Sequence, residues 1–304
     1  DSTLWDLASL TKVVGTTTAV MRLLEDRRIE LDAPVVRYLP RFIGDGKERV
    51  RVRQLLDHTS GLPSYVEFFR VTRTRDSAIA LLYRTPLRRP PGTAVEYSDL
   101  NFLLLGLLVE TASGEALEQF VTRVVLGPAG MTRSRYRPDE TKVRQTAPTG
   151  QWRGHPVCCR VNDQNAERMG GAAGHAGLFS TGTDLARFAR LWLNQGSVAG
   201  HQLFQPETVQ TFLTPDSAAA TRLLGWERPD PRHRDDSAYG HLLSQRAFGH
   251  TGWTGTLMWV DPDRDLFLVL LTNRSFGPRM GHSIRALRAV RGALADAVVA
   301  ETGG

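Results

Sequence analysis

Cysteine is almost missing from this chain, and lysine is nearly as scarce. The two cysteines of the 304 residues are the adjacent Cys158 and Cys159, so they cannot staple distant segments and the fold does not depend on disulfides. His155 with Cys158 makes at most half of a metal site, because no second pair at ligand spacing accompanies it. An ordinary loop is the simpler reading, and no metal or organic cofactor is expected. Long apolar runs are also absent. The longest, Phe102 to Val109, is far shorter than the ~20 residues of a spanning helix, so no membrane span is expected. The opening Asp1-Ser2-Thr3-Leu4-Trp5-Asp6 lacks the basic start and apolar stretch of a signal peptide. Runs of basic residues interleaved with aromatics are missing too. The net charge of +6 comes from arginines scattered among acids, which reads as solvated surface and excludes nucleic acid as the expected partner.

Lysine occurs only at Lys12, Lys47 and Lys142, so the other 35 basic residues are arginine. Arginine does not give up its proton in a protein, whereas a buried lysine can act as a base. Lys12 follows Ser9 by three positions. Val13, Val14, Thr17, Val20, Met21 and Leu24 then recur at helical spacing, which places the hydroxyl and the amine on one face of a mostly buried helix. Burial is expected to lower the amine's pKa toward neutrality, so that it can take the serine's proton. The helix N-terminus would add N–H groups where an oxyanion forms. Alone, the tetrapeptide is equally compatible with a capping serine and a solvated lysine.

Short helices are expected around 33–40, over Val52–Asp57 and over Asp76–Arg84, with a proline-rich loop at 88–92. Leu100–Ala112 is apolar all round and reads as a buried helix stopped at Gly114. Glu115–Val125 is amphipathic, Arg133–Asn165 has no clear period, and Gly170–Gly177 is a glycine-alanine loop. Asp184–Asn194 reads as a helix capped by Thr183. The last third turns to strand-like stretches at Arg222–Arg228, Gln245–His250, Gly255–Val260 and Leu266–Thr272, with a hairpin turn at Asp261–Arg264. An amphipathic helix over Gly281–Ala300, through Ile284, Leu287, Leu294 and Val298, closes the chain. Middle helices and a terminal antiparallel sheet imply an α+β fold.

Two further stretches carry chemistry. Tyr97-Ser98-Asp99 leads into the buried helix, and His250-Thr251-Gly252 ends a strand before Trp253-Thr254-Gly255-Thr256. Glycines there would let a substrate backbone approach the strand edge. A core tyrosine and a strand-end histidine are the bland alternatives.

The order Ser9/Lys12, Tyr97/Asp99, His250/Gly252 resembles the serine β-lactamase and penicillin-binding protein superfamily, with its S-x-x-K, Y-x-N and K-T-G elements. Leu55-Leu56-Asp57-His58-Thr59-Ser60-Gly61-Leu62-Pro63 and Leu104-Leu105-Gly106 are similar to the class C-like branch of esterases, D-amino-acid peptidases and muropeptide amidases. Asp163-Gln164-Asn165-Ala166, Gly174-His175-Ala176-Gly177-Leu178-Phe179-Ser180-Thr181 and Leu270-Leu271-Thr272-Asn273-Arg274 resemble its N-acetylmuramoyl-L-alanine amidase subgroup. The chain departs from the pattern at Asp99, where β-lactamases carry asparagine, and at His250, where they carry lysine. A permanent cation for a β-lactam carboxylate is thereby missing, which favours an esterase or amidase. The family also begins with two strands before the S-x-x-K helix, whereas eight residues precede Ser9 here. The resemblance thus implies missing N-terminal strands, an open strand edge and a partly uncovered last helix.

The resemblance implies a β-lactamase-like α+β fold, with a discontinuous sheet domain (1–30 and 172–304), a mainly helical domain (31–171) and the active site between them. The activity implied is that of a bacterial serine hydrolase forming an acyl-enzyme on Ser9, with Lys12 and Tyr97 as a coupled base. The backbone N–H groups of Ser9 and Trp253 would hold the oxyanion, and His250, Asp99, Gly252 and His175 would orient substrate or tune protons. The substrate would be a small molecule: an ester, an amide or a muropeptide. A penicillin-recognising enzyme, a non-catalytic sensor and an inactive fragment are the alternatives. Oligomeric state and compartment, cytoplasmic or periplasmic, stay open.

Overall fold

In the computed structural model, which describes residues 2–152, 155–215, 221–235, 237–276 and 283–302, the segment after Ser9 begins as an unusually wide turn. Lys12–Thr17 is a π-helix with every residue buried, and it continues as α1 (Thr18–Glu25). Thr18 turns its hydroxyl onto the carbonyls of Val14 and Gly15. A Cβ on Gly15 would lie 2.5 Å from the Tyr136 hydroxyl, so the glycine admits that ring against the widened turn. Such turns collect at functional sites.

Before this segment lies β1 (Trp5–Asp6). After it come α2 (Val52–Leu56), α3 (Asp99–Ser113), β2 (Arg135–Tyr136), β3 (Leu178–Ser180), α4 (Gly182–Leu193), β4 (Phe248–Thr251), β5 (Leu257–Asp261), β6 (Leu266–Leu270) and α5 (Ile284–Thr302). Further helices lie at Arg75–Arg84 and Pro206–Leu213. The fold is α+β. Its main sheet is antiparallel in the order β6-β5-β4, with His250 opposite Met258 and Leu266 opposite Asp261. A smaller sheet orders β1-β3-β2, with Trp5 opposite Ser180. Among the described residues β6 is bonded on one side only.

Two hydroxyls join the sheets at the nucleophile segment. Thr254 donates to the Asp6 carbonyl at 2.7 Å and Thr256 to the Leu7 carbonyl at 2.9 Å. A Cβ on Gly252 would meet the Thr256 hydroxyl at 2.1 Å and the Leu7 carbonyl at 2.5 Å. This glycine is therefore needed for internal clearance.

Helix α3 is buried on all sides from Leu100 to Val109 and ends at Gly114, whose φ of 74° gives the left-handed stop its sequence predicts. Its Gly106 touches the 170–177 loop directly. A Cβ on Gly174 would lie 1.9 Å from the Phe102 carbonyl, and one on Gly106 would lie 3.0 Å from the Gly174 nitrogen. Thr16 then donates to the Gly174 carbonyl at 2.7 Å. Loop, α3 and the π-helix are thus held backbone to backbone.

Several expectations need correction. The cap of α4 is Thr181, which accepts the Asp184 N–H, and not Thr183. Residues 222–228 form only isolated bridges, because Gly225 turns the chain at φ +90° against Thr17 and sends Trp226 into an aromatic group with Phe188, Trp192 and Phe248. The stretch 133–165 holds β2, a 3-10 turn and an antiparallel pairing of 150–152 with 155–157, with pairings too short to show a period. On α5 the buried stripe is Arg291, Gly292, Ala295 and Val299, while Ile284 is 38% exposed. The helix is rotated so that buried Arg291 can donate to the carbonyls of Gly252 and Thr256. Residues 281 and 282 of its expected start lie outside the described residues. One apolar core runs from Leu7 to Val260, and a smaller one, with Trp259, Tyr239 and Ala295, fills the space between sheet and α5.

Replacing Gly174 with alanine is expected to destabilise the protein by about 2–3 kcal/mol through overpacking of backbone on backbone. The urea midpoint checks this, and an unchanged midpoint would show that the crossing has slack.

Candidate active site

Ser9 emerges from a backbone kink. Ala8 has φ 46°, in the left-handed region that a residue with a Cβ rarely adopts. From there the helix carries Lys12 back over Ser9, and Lys12 Nζ lies 2.9 Å from Ser9 Oγ. Lys12 has no exposed surface. Its ammonium also donates to the His175 carbonyl at 3.2 Å and pairs with Asp99 Oδ1 at 2.7 Å. The rings of Tyr97 and Phe102 lie 5.0 and 5.8 Å from it.

Burial does not make this lysine neutral, contrary to expectation. Desolvation is the largest influence and pulls its pKa down, but Asp99 and Tyr97 together outweigh it and hold the pKa above the ordinary lysine value. One ion pair near 4 Å at an effective dielectric of about 20 is worth about 4 kcal/mol, the scale of the burial cost it opposes. Asp99, at the N-terminus of α3, decides the outcome. Burial raises the Tyr97 phenol, and the nearby Lys12 charge, with hydrogen bonds from Lys12 and Ser9, only partly offsets this.

The motif around His58 explains how Tyr97 and Asp99 are held. His58 is 1% exposed with φ 64°, and its ring lies 4.6 Å from that of Tyr97. Its Nδ1 accepts the Ser98 N–H at 3.1 Å, and the Ser98 hydroxyl donates to the Pro63 carbonyl. Ser60 shares a hydrogen bond with Asn101 one turn into α3. The motif is a clamp on the entrance to α3.

His250 lies on the far side of Tyr97, with ring centroids 5.8 Å apart. Its Nδ1 faces the Thr251 carbonyl at 2.8 Å, so Nδ1 carries the hydrogen and Nε2 is the free acceptor. Burial first, then the charges of Lys12 and Arg222, depress its pKa well below the ordinary histidine range. His250 is therefore neutral and supplies no cation. Trp253 is 60% exposed, with the Arg274 guanidinium 4.1 Å from its ring centre. Gly252 packs inward as described above.

On the opposite wall His175 Nε2 meets Asp163 Oδ1 at 2.9 Å. Burial pushes the Asp163 carboxyl up, but His175 and the Ala166 N–H prevail and keep it below the carboxylate range. Asp99, Asp163 and His175 bring one ligating atom each within 4.8 Å of one another. Of the three, Asp99 is paired with the Lys12 ammonium. Cys158, the other candidate ligand, is bonded to Cys159 and has no thiolate to offer.

Ser9, Lys12, Tyr97, Asp99, His175 and His250 thus converge, while Gly252 and Trp253 border them through the turn after β4. Sequence reasoning passed over Arg222, whose guanidinium lies 5.3 Å over the Tyr97 ring. It has no sequence motif around it. Beyond Arg222 a cavity of about 360 Å³, lined also by Asp57, Gln210 and Thr211, does not include Ser9 in its wall. Buried Asp57 instead accepts from Thr59 in the clamp.

A Beta-lactamase family model matches residues 1–293. The chain is 34% identical to an N-acetylmuramyl-L-alanine amidase of Bacillus subtilis strain 168, over 91% of this chain and 69% of that one. It is 32% identical to a protein of Escherichia coli K12 provisionally named a D-alanyl-D-alanine carboxypeptidase, over 91% of this chain and 70% of that one. A β-lactamase structure from Mycobacterium bovis superposes with a TM-score of 0.67 at 26% identity, covering 99% of this chain and 89% of the other. The chain belongs to the β-lactamase family. It is a serine-type hydrolase of amide or ester bonds and acts on small molecules. No single helix among its described residues is long and apolar enough to cross a membrane.

With three lysines in the chain, the Lys12 ammonium can be followed individually by 15N NMR. It is expected to titrate above an ordinary lysine in the wild type and below it in Asp99→Asn, where desolvation acts without its counter-charge. Coincident titrations in the two proteins would show that Asp99 does not set the lysine's proton affinity.

Proposed function

We propose that this β-lactamase-family enzyme cleaves its substrate through an acyl-enzyme on Ser9, at the seam between a sheet part (1–30 and 172–304) and a mainly helical part (31–171). The observation that carries this is the 2.9 Å approach of the fully buried Lys12 Nζ to Ser9 Oγ. Lys12 must first lose its proton, because the resting ammonium can only donate to the serine. In the neutral form it takes the Ser9 proton as Oγ bonds to the substrate carbonyl, and that proton passes to the leaving nitrogen or oxygen through Lys12 and Tyr97. Water then releases the acid by the reverse use of the same pair. The N–H groups of Ser9 and Trp253 are the proposed oxyanion donors. Asp99 holds the resting proton on Lys12, and His175 fixes the amine through its carbonyl.

The preferred substrate is an amide joined to a small acyl group, as in a muropeptide. The B. subtilis relative's name supports this. So does the exposed Trp253 ring, a flat apolar face backed by Arg274 of the kind that suits a sugar ring. Neutral His250 weighs against a grip on a β-lactam carboxylate.

A fluorophosphonate probe is expected to add once to the wild type and not to Ser9→Ala, read by intact mass. The labelling rate should climb with pH from 6 to 9, since the reactive form is the deprotonated minority of a lysine whose pKa is raised. A flat rate over that range would remove Lys12 from the base role. Released L-alanine from MurNAc-L-Ala tests the substrate, and turnover of simple esters without it would make the enzyme an esterase.

A further inference from the structure

The kink at Ala8 has a holder. Asp6 is 4% exposed, and its two carboxyl oxygens face two different segments. Oδ1 accepts the Ala8 N–H at 2.8 Å and Oδ2 accepts the Asn162 N–H at 2.7 Å. The first bond ends on the left-handed residue immediately before Ser9. The second reaches the residue next to Asp163, whose partner His175 gives its carbonyl to Lys12. One carboxyl thus bridges the chain carrying the nucleophile and the loop that fixes its amine. The carbonyl of Asp6 is itself tied down by Thr254.

We propose that ionised Asp6 is a positioning residue. It accepts both N–H groups, holds Ala8 in its strained conformation and keeps Ser9 Oγ in register with Lys12. A protonated carboxyl would set an O–H against one of those N–H donors and slacken the bridge. This inference rests on the acyl-enzyme reading of Ser9.

Among the described residues the charged group that chiefly acts on Asp6 is Asp163, of like sign, while Asn162 and Ala8 offer N–H dipoles and Thr254 approaches from the turn after β4. Burial is the main influence and Asp163 adds to it, so the carboxyl is raised from its ordinary 3.8 to about 6. Between those values the fold keeps a proton that the unfolded chain has lost, so stability drops as pH rises through that window. Above it the carboxylate is retained at a cost to stability, which is the signature of a group kept for geometry.

Asp6→Asn separates the roles, because the amide keeps the shape and one acceptor but turns a donor toward an N–H. At pH 8 the fluorophosphonate labelling rate of Asp6→Asn is expected to fall at least about tenfold, a loss of about 1.4 kcal/mol in the barrier, while its melting midpoint stays at or above the wild type's. Below pH 6 the wild-type rate should lose an extra factor of about ten per pH unit, and Asp6→Asn should not. Adding Ala8→Gly to Asp6→Asn should restore part of the rate, since glycine adopts a positive φ unaided. An unchanged labelling rate overturns the proposal, as does a melting midpoint well below the wild type's or a variant that does not fold, which would make Asp6 merely structural. A wild type that takes no adduct at all overturns the acyl-enzyme reading and this inference with it.

Discussion

A charged amine with no exposed surface is the constraint around which this molecule is built. Lys12 needs partners on every side, and they come from segments far apart in the chain: Ser9 from its own helix, Asp99 from the start of α3, the His175 carbonyl from a glycine loop. Removing any one leaves a buried charge short of compensation, which is strongly destabilising. The ammonium therefore acts as a folding constraint as well as a chemical group. It brings the π-helix, α3 and the 170–177 loop to one point.

The proton inventory that results is specific. Desolvation alone would have made the lysine a ready base, yet the Asp99 ion pair keeps it charged, and burial keeps Tyr97 protonated and His250 neutral. In the proposed mechanism the resting and reactive protonation states therefore differ, and substrate is met by a minority form. An enzyme with asparagine at position 99 would rest closer to its reactive state. The aspartate trades some resting reactivity for a firmly held site.

Local signals in the sequence were enough to put Ser9 and Lys12 on one face and to give the extent of α3, because three-residue spacing and an unbroken apolar run depend on nothing distant. The resemblance added Tyr97, Asp99 and His250 as a set. Other features depend on contacts that no window contains. The π-helix at 12–17 follows from Tyr136 packing against Gly15, and the true cap of α4 from the geometry of β3. The face of α5 is set by two carbonyls, far away in the sequence, to which Arg291 donates. Lys12's proton affinity is hidden for the same reason, since burial is legible from the apolar neighbours while the carboxylate beside it arrives from another helix. Asp6, two positions before Ala8, carries no local signal, because the Asn162 N–H on its other oxygen comes from a distant segment.

The contact between Gly106 and Gly174 bears on how specificity in such an enzyme can change over generations. Where two backbones touch, no side chain can be lengthened, so the crossing is closed to variation by drift or by laboratory selection. The exposed Trp253 ring and the Arg274 side chain over it, which border the site, carry no such restriction. Variants altered there can reshape the mouth of the site with the pivot between loop and helix left as it is. A mutational library that spares the two glycines and randomises positions 253 and 274 would change that border without first losing the fold.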